Sequence, residues 1–151
     1  MPDIKVRKTT IEDADIITEF NQLMAMETEN KRLPDKIISS GVRRLMQKPE
    51  YGFYLVAENT DTSVVGTCMV TMEWSDWRDG LFWWVQSVYV KPDYRKQGVY
   101  TAMYDKIRDL AATEPDVYGF RLYVEKDNTI AQKTYEKLGM KATDYLLYES
   151  T

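Results

Sequence analysis

The chain has 151 residues, 44% hydrophobic and 29% charged, a length and balance that suit a single domain over residues 1–151 with a continuous buried core. Its net charge of -4 argues against a surface built to coat nucleic acid and leaves room only for a local basic pocket. Histidine is absent, which removes the commonest general base, the Ser/His and Cys/His pairs and the commonest metal ligand; no metal site is expected, and chemistry must come from carboxylates, Tyr, Lys, Cys or backbone.

Residues 4–7 alternate apolar and charged side chains and predict a short first strand, after which Thr10 and Asp13 offer caps for a helix. Ile16, Ile17, Phe20, Leu23 and Met24 recur at helical spacing and carry that helix to about Glu29. Residues 34–47 predict a second helix with Ile37, Ile38, Val42, Leu45 and Met46 on one face, ended by Pro49. Residues 53–58 and 64–74 read as adjacent antiparallel strands joined by a turn at 59–62. A second turn at 75–80 leads into residues 82–90, apolar at nearly every position, which predict a central strand covered on both faces. Residues 101–112 form a helix lying on the sheet by one face and are stopped by Glu114, Pro115 and Asp116. A strand at 118–124, a helix at 129–138 stopped by Gly139, and a final strand at 145–148 complete the chain. This order predicts a mixed α/β domain with one parallel, right-handed crossover.

The one cysteine, Cys68, has no partner for an internal disulfide and reads as an inert core residue. With no early apolar run and no membrane-spanning one, the expected location is cytoplasmic, without a membrane partner.

Between the strand at 82–90 and the helix at 101–112 lies Pro92-Asp93-Tyr94-Arg95-Lys96-Gln97-Gly98-Val99-Tyr100. A strand, a short loop with a glycine and a helix leave backbone N–H groups unpaired at the positive end of the helix dipole, a natural seat for an anion. Arg95 and Lys96 add mobile positive charge at the rim, and Gly98 lets the backbone come close. A single glycine and no following Gly-Lys-Thr/Ser exclude the dinucleotide and P-loop fingerprints. Taken alone, the junction is also readable as a structural turn with solvated charges.

The run VYVKPDYRKQGVYTAM resembles the acetyl-CoA signature of the Gcn5-related N-acetyltransferase (GNAT) family, Arg/Gln, two residues, Gly, one residue, then Gly or Ala. Arg95 and Gly98 match it and Tyr100 departs from it; Asn128 and the segment Tyr135-Glu136-Lys137-Leu138-Gly139-Met140 resemble the family as well. The resemblance implies a GNAT-like fold: a mixed, mostly antiparallel central sheet with helices on both faces, splayed at the central strands. It implies acetyl-CoA as acetyl donor and direct transfer to a primary amine of a small molecule or peptide.

By the same resemblance, Val88, Tyr89 and Val90 pair by main chain with the pantetheine arm, and Lys96, Gln97, Gly98, Val99, Tyr100 and Thr101 wrap the pyrophosphate, with Arg95 at the rim. The Tyr100 side chain is expected to turn away towards neighbours such as Tyr104 and to leave only its N–H facing the ligand. Asn128 is a good helix N-cap on physical grounds, and the resemblance adds a contact to the pantetheine arm. Tyr135 aligns with the tyrosine that protonates the departing thiolate, or else packs on the sheet with its hydroxyl at the rim.

The general base is less defined. Gln86 stands where many family members carry Glu; a neutral amide cannot take the ammonium proton but can hold a water that relays it to Glu73 or Glu125. The acceptor side draws on Glu73, Trp84, Gln86 and Glu29, with Glu27 and Glu29 as one wall and the aromatic run Trp74, Trp77, Phe82, Trp83 and Trp84 as another, suited to an amine through cation–π contact. Trp83 and Trp84 should face opposite sides of the sheet. The rival reading is a non-catalytic acyl-CoA-binding or sensing module, favoured by the missing carboxylate at Gln86. Homodimers are common in the resembled family, so a homodimer is one assembly the resemblance implies.

Overall fold

The computed structural model describes residues 3–151. Strand β1 (Lys5–Lys8) leads into a one-turn 3-10 helix and then α1 (Ala14–Glu29). Asp13 links these elements: its carboxylate accepts from the Thr10 N–H at 2.8 Å and from both terminal nitrogens of Arg7 at 2.8 and 2.9 Å. Helix α2 (Asp35–Met46) precedes strands β2 (Gly52–Glu58), β3 (Val64–Ser75) and β4 (Gly80–Val90); helix α3 (Val99–Ala112), strand β5 (Val117–Arg121) and helix α4 (Thr129–Lys137) follow.

The strands form one sheet in the order β1-β2-β3-β4-β5, antiparallel except that β5 lies parallel to β4 through the α3 crossover. The two-residue alternation of each strand divides the core. Leu55, Val70, Trp83 and Val85 pack beneath α3 with Met103 and Ile107. Tyr54 and Val56 face the other way, against Ala14 and Ile17 of α1 and Val42 of α2. Helices therefore cover both faces, as the sequence predicts.

Three expectations change. The run at 82–90 is the fourth of five strands among the described residues rather than the central one, and β5 accompanies it only from Leu81 to Trp84, so beyond Trp84 no described strand lies on that side. The strand expected at 118–124 stops at Arg121, where the chain leaves β4. The expected final strand at 145–148 is absent: the segment carries no regular structure, and Tyr145, Leu146, Leu147 and Tyr148 are exposed by 69% or more. A strand exists only as a member of a ladder, and among the described residues no neighbouring strand receives this one.

Candidate active site

The gap left where β5 ends is shaped further by a bulge in β4. Thr67 pairs with Tyr89 and Met69 with Gln86, so two steps along β3 face three along β4, and Ser87 takes up the extra residue at φ +51°. Gln86 shares the α1 side of the sheet with Met69, and Tyr89 also faces α1, its ring 5.0 Å from that of Phe20. Val88 and Val90 pack on the α3 side.

Past Val90, a 3-10 turn at Pro92–Tyr94 is pinned by the Tyr94 hydroxyl, which accepts from Asn59 Nδ2 at 2.9 Å. Lys96 at φ +61° and Gly98 at φ +81° bend the chain into α3, and only glycine takes the second bend without strain. Gly98 occupies the N-cap position with no side chain to cap the helix. Ala102 N–H bonds back to its carbonyl at 2.9 Å, whereas the N–H groups of Val99, Tyr100 and Thr101 meet no acceptor among the described residues. These donors, at the positive end of the α3 dipole, open on a cavity of about 510 Å³.

The structure brings most of the expected cofactor residues to this cavity: Val88, Tyr89 and Val90 from β4, and Arg95, Lys96, Gly98, Val99, Tyr100 and Thr101 from the loop and helix. Gln97 folds back over its own loop and donates to the Asp93 carbonyl at 2.8 Å. Asn128 caps α4, its Oδ1 accepting from Ala131 N–H at 3.1 Å, and lies outside the cavity wall.

Arg95 is not the mobile rim charge that the sequence suggests. Its terminal nitrogens hold both carboxylate oxygens of Glu27 at 2.6 and 2.8 Å, its Nε donates to the Val90 carbonyl at 2.9 Å, and its guanidinium lies over the Tyr89 ring. The pairing lowers the Glu27 carboxyl below its ordinary range and raises the guanidinium. Lys96 is exposed and makes no ion pair among the described residues, which leaves it as the charge available to an anion.

Three tyrosines line up beside the cavity. Tyr100 stacks on Tyr104 with ring centres 6.2 Å apart, the expected turn along the helix, while the residue is also part of the cavity wall. The Tyr135 ring meets Tyr100 edge-on at 5.6 Å; Tyr135 is next in sequence to the wall residue Thr134 but is not itself part of the cavity wall. Burial raises the Tyr135 hydroxyl above its ordinary value, keeping it protonated at neutral pH as a proton donor must be.

The acceptor-side candidates lie on the sheet face turned towards α1 and α2. Gln86 Nε2 donates to Thr71 Oγ1 at 2.5 Å, which fixes the amide and leaves its oxygen to act as an acceptor. Glu73 Oε1 accepts from Trp84 Nε1 at 3.0 Å and from Arg121 at 2.8 Å, a tethered carboxylate. Trp83 and Trp84 do face opposite sides: Trp83 packs edge-on against Phe53, and Trp84 lies near Tyr123. The aromatic run does not converge, because Trp74 and Trp77 point to solvent, 58% and 87% exposed. Glu29 is exposed, pairs with Lys31 and lies outside the cavity wall, and Glu125 is exposed on the loop before α4. Cys68 is fully buried and its thiol is pushed up to about 12, consistent with an inert core residue.

Met24 and Thr28 of α1 and Ile130 and Thr134 of α4 also line the cavity and were not singled out from sequence. Their local patterns are those of ordinary helix faces; only the long-range docking of α1 and α4 brings them here.

Residues 17–140 match the Acetyltransferase (GNAT) family. The structure of a possible acetyltransferase from Clostridium difficile 630 is 40% identical and superposes with a TM-score of 0.89, covering 98% of this chain and 97% of its own. A predicted acetyltransferase from Clostridium acetobutylicum, solved with acetyl-CoA, is 19% identical with a TM-score of 0.79 over 98% of this chain and 96% of its own, a likeness of fold. The catalytic subunit NAA20 of the N-terminal acetyltransferase B complex of Arabidopsis thaliana is 32% identical over 106 residues, 69% of this chain. The chain spans about half the length of that curated relative, 55%. With the uncapped helix at the glycine loop and the gap beside the bulged strand, these matches place the chain in the GNAT acetyltransferase family.

Proposed function

We propose that the protein transfers an acetyl group from acetyl-CoA to the primary amine of a small molecule or peptide, by direct attack of the neutral amine. The observation that carries this reading is the row of partnerless N–H groups at Val99, Tyr100 and Thr101, facing a cavity that continues along the unaccompanied edge of β4. The residues fit the donor: backbone N–H groups and Lys96 suit a pyrophosphate, and the free edge of β4 at Val88 to Val90 suits an amide-bearing arm that completes a strand ladder. When bound, acetyl-CoA supplies the activated acyl group as a thioester.

The chain's own residues do the rest. Tyr135 donates a proton or hydrogen bond as negative charge develops on the leaving sulfur. Gln86 holds a water that takes the amine proton and passes it on through solvent, with Glu73 as a carboxylate on the same face four residues farther along the ladder. Glu73 and Trp84 form the acceptor wall, and the cation–π capacity of Trp84 suits an approaching amine. Similarity to an N-terminal acetyltransferase subunit supports a peptide amine as one acceptor class. No helix among the described residues is long and apolar enough to cross a membrane.

The test is release of free thiol from acetyl-CoA in the presence of short peptides with free N-termini and of small primary amines. Release with at least one amine is expected. A protein that gains thermal stability from acetyl-CoA, about 2.7 kcal/mol at a hundred times its Kd, yet releases no thiol with any amine would be the acyl-CoA-binding module instead.

A further inference from the structure

We propose that residues 145–148 form an edge strand on β5 of a second copy of this chain, exchanged reciprocally between two copies. Every residue from Lys141 to Thr151 is exposed, and Tyr145, Leu146, Leu147 and Tyr148 are open to solvent by 69% or more. Four consecutive large apolar side chains left this bare mark a contact surface rather than a solvated loop. On a strand, Tyr145 and Leu147 would face one side and Leu146 and Tyr148 the other, an apolar pair on each.

The sheet offers one place for such a strand. Its two outer edges are β1 and β5. Strand β1 reads Lys-Val-Arg-Lys, the charged kind of edge that turns other strands away. Strand β5 pairs only with β4, holds neither Lys nor Pro, and carries Tyr118 64% exposed. Its outer backbone groups are a template with no described strand upon it.

Within one chain the two features stay apart. Gly139 at φ +92° and the Met140 N–H, which donates to the Tyr135 carbonyl at 3.0 Å, fix the direction in which the chain leaves α4. From there the segment bonds within itself, the Tyr145 N–H donating to Thr143 Oγ1 at 3.3 Å. A chain that presents both a bare strand and a bare edge is complementary to its own copy, and twofold exchange uses both features in each. A covered tyrosine buries about 150–250 Å². Tyr145 and Tyr148 with the two leucines thus supply roughly 500 Å² per copy, and the β5 surface they cover brings two exchanges to the ~1,200–2,000 Å² of a stable interface.

The experiment is analytical ultracentrifugation of the full chain at micromolar concentration, joined to a double variant and a cross-link. The unmodified chain is expected to sediment as a dimer; a monomer, or an open series of larger species, overturns the proposal. Leu146→Asp with Leu147→Asp puts a charge on each face of the strand, at positions exposed in the single chain, so circular dichroism should show the fold kept. The dimer Kd should rise at least roughly a hundredfold; a dimer of unaltered strength overturns the pairing. Cys68 is buried, so introduced thiols are the accessible ones. Copies carrying Tyr118→Cys and copies carrying Leu147→Cys are refolded together and treated with a short bis-maleimide. Dimers linked through one thiol of each kind are expected. Absence of that mixed link overturns the proposal, as does a chain carrying both substitutions that links only within itself, which would seat the segment on its own β5.

Discussion

Glu27 grips Arg95 through both carboxylate oxygens, at 2.6 and 2.8 Å, and ties the end of α1 to the loop that opens α3. Because Arg95 also donates to Val90, one side chain joins three walls of the cavity: α1, the end of β4 and the loop. Glu27→Gln keeps the shape but removes the charge. The pair is partly exposed and screened, so the loss of stability should be at most about 1 kcal/mol, whereas the Kd for acetyl-CoA should rise several-fold as the loop loosens. Calorimetric titration beside thermal unfolding checks both; an unaltered Kd would show that the loop keeps its shape without the clasp.

Asp13 makes acid stability predictable. Its carboxyl is lowered below the ordinary 3.8, chiefly by hydrogen bonds from Arg7, and the Glu27 carboxyl is lowered in the same sense by Arg95. A carboxyl lowered in the folded state stabilises the fold above its ordinary value and loses that contribution as pH falls through the lowered one. Urea unfolding should therefore show stability falling from about pH 5 downward. Asp13→Asn should cost about 2 kcal/mol at pH 7 and flatten that fall; parallel curves for variant and wild type would contradict the assignment.

Tyr135→Phe removes the proposed proton donor while keeping the ring that meets Tyr100. The expected result is kcat lowered by at least about tenfold, with KM for acetyl-CoA little changed. Near-normal turnover would assign Tyr135 to packing alone.

Gln86→Leu removes the amide that Thr71 fixes in place. Acetyl-CoA affinity should be unchanged, and kcat/KM for the amine should fall by about tenfold. Initial rates against amine concentration across pH 6 to about 9 separate this outcome from a general loss of fold.

Gly98→Ala puts a Cβ on a residue at φ +81° directly before the uncapped turn. The strain should lower stability by about 1 kcal/mol and weaken acetyl-CoA binding, with Tm and Kd moving together. An unchanged Kd with a lowered Tm would remove the loop from the binding surface.

What the sequence conveyed follows the range of the interactions involved. The helices were legible from their periodicity and the first four strands from alternation or from unbroken apolar runs between turns, and the glycine loop because Gly98 punctuates it. The end of β5 was not: Leu122, Tyr123 and Val124 suit a strand as well as Tyr118 does, and only the divergence from β4 stops the ladder at Arg121. Tyr145 to Tyr148 misled for the same reason, since strand propensity does not supply a neighbour. Arg95 looked free because its partner lies 68 residues away on another element. The Tyr100 side chain turns along the helix to Tyr104, as its place in the first turn of α3 suggests, but that its hydroxyl ends buried without a partner among the described residues depends on the packing around it.

Ser87 acts on β4 as a frameshift acts on a reading frame. Before it, odd-numbered residues such as Trp83 and Val85 look towards α3; after it, even-numbered Val88 and Val90 do. Straightening the strand with Ser87 still in it would leave its composition intact yet reverse every later side chain, taking the Tyr89 ring from Phe20 and sending the valines towards α1. The glycine loop would then leave the sheet in the wrong phase, its N–H groups aimed away from the gap. One small residue in a left-handed bend thus sets the direction in which the whole cradle faces.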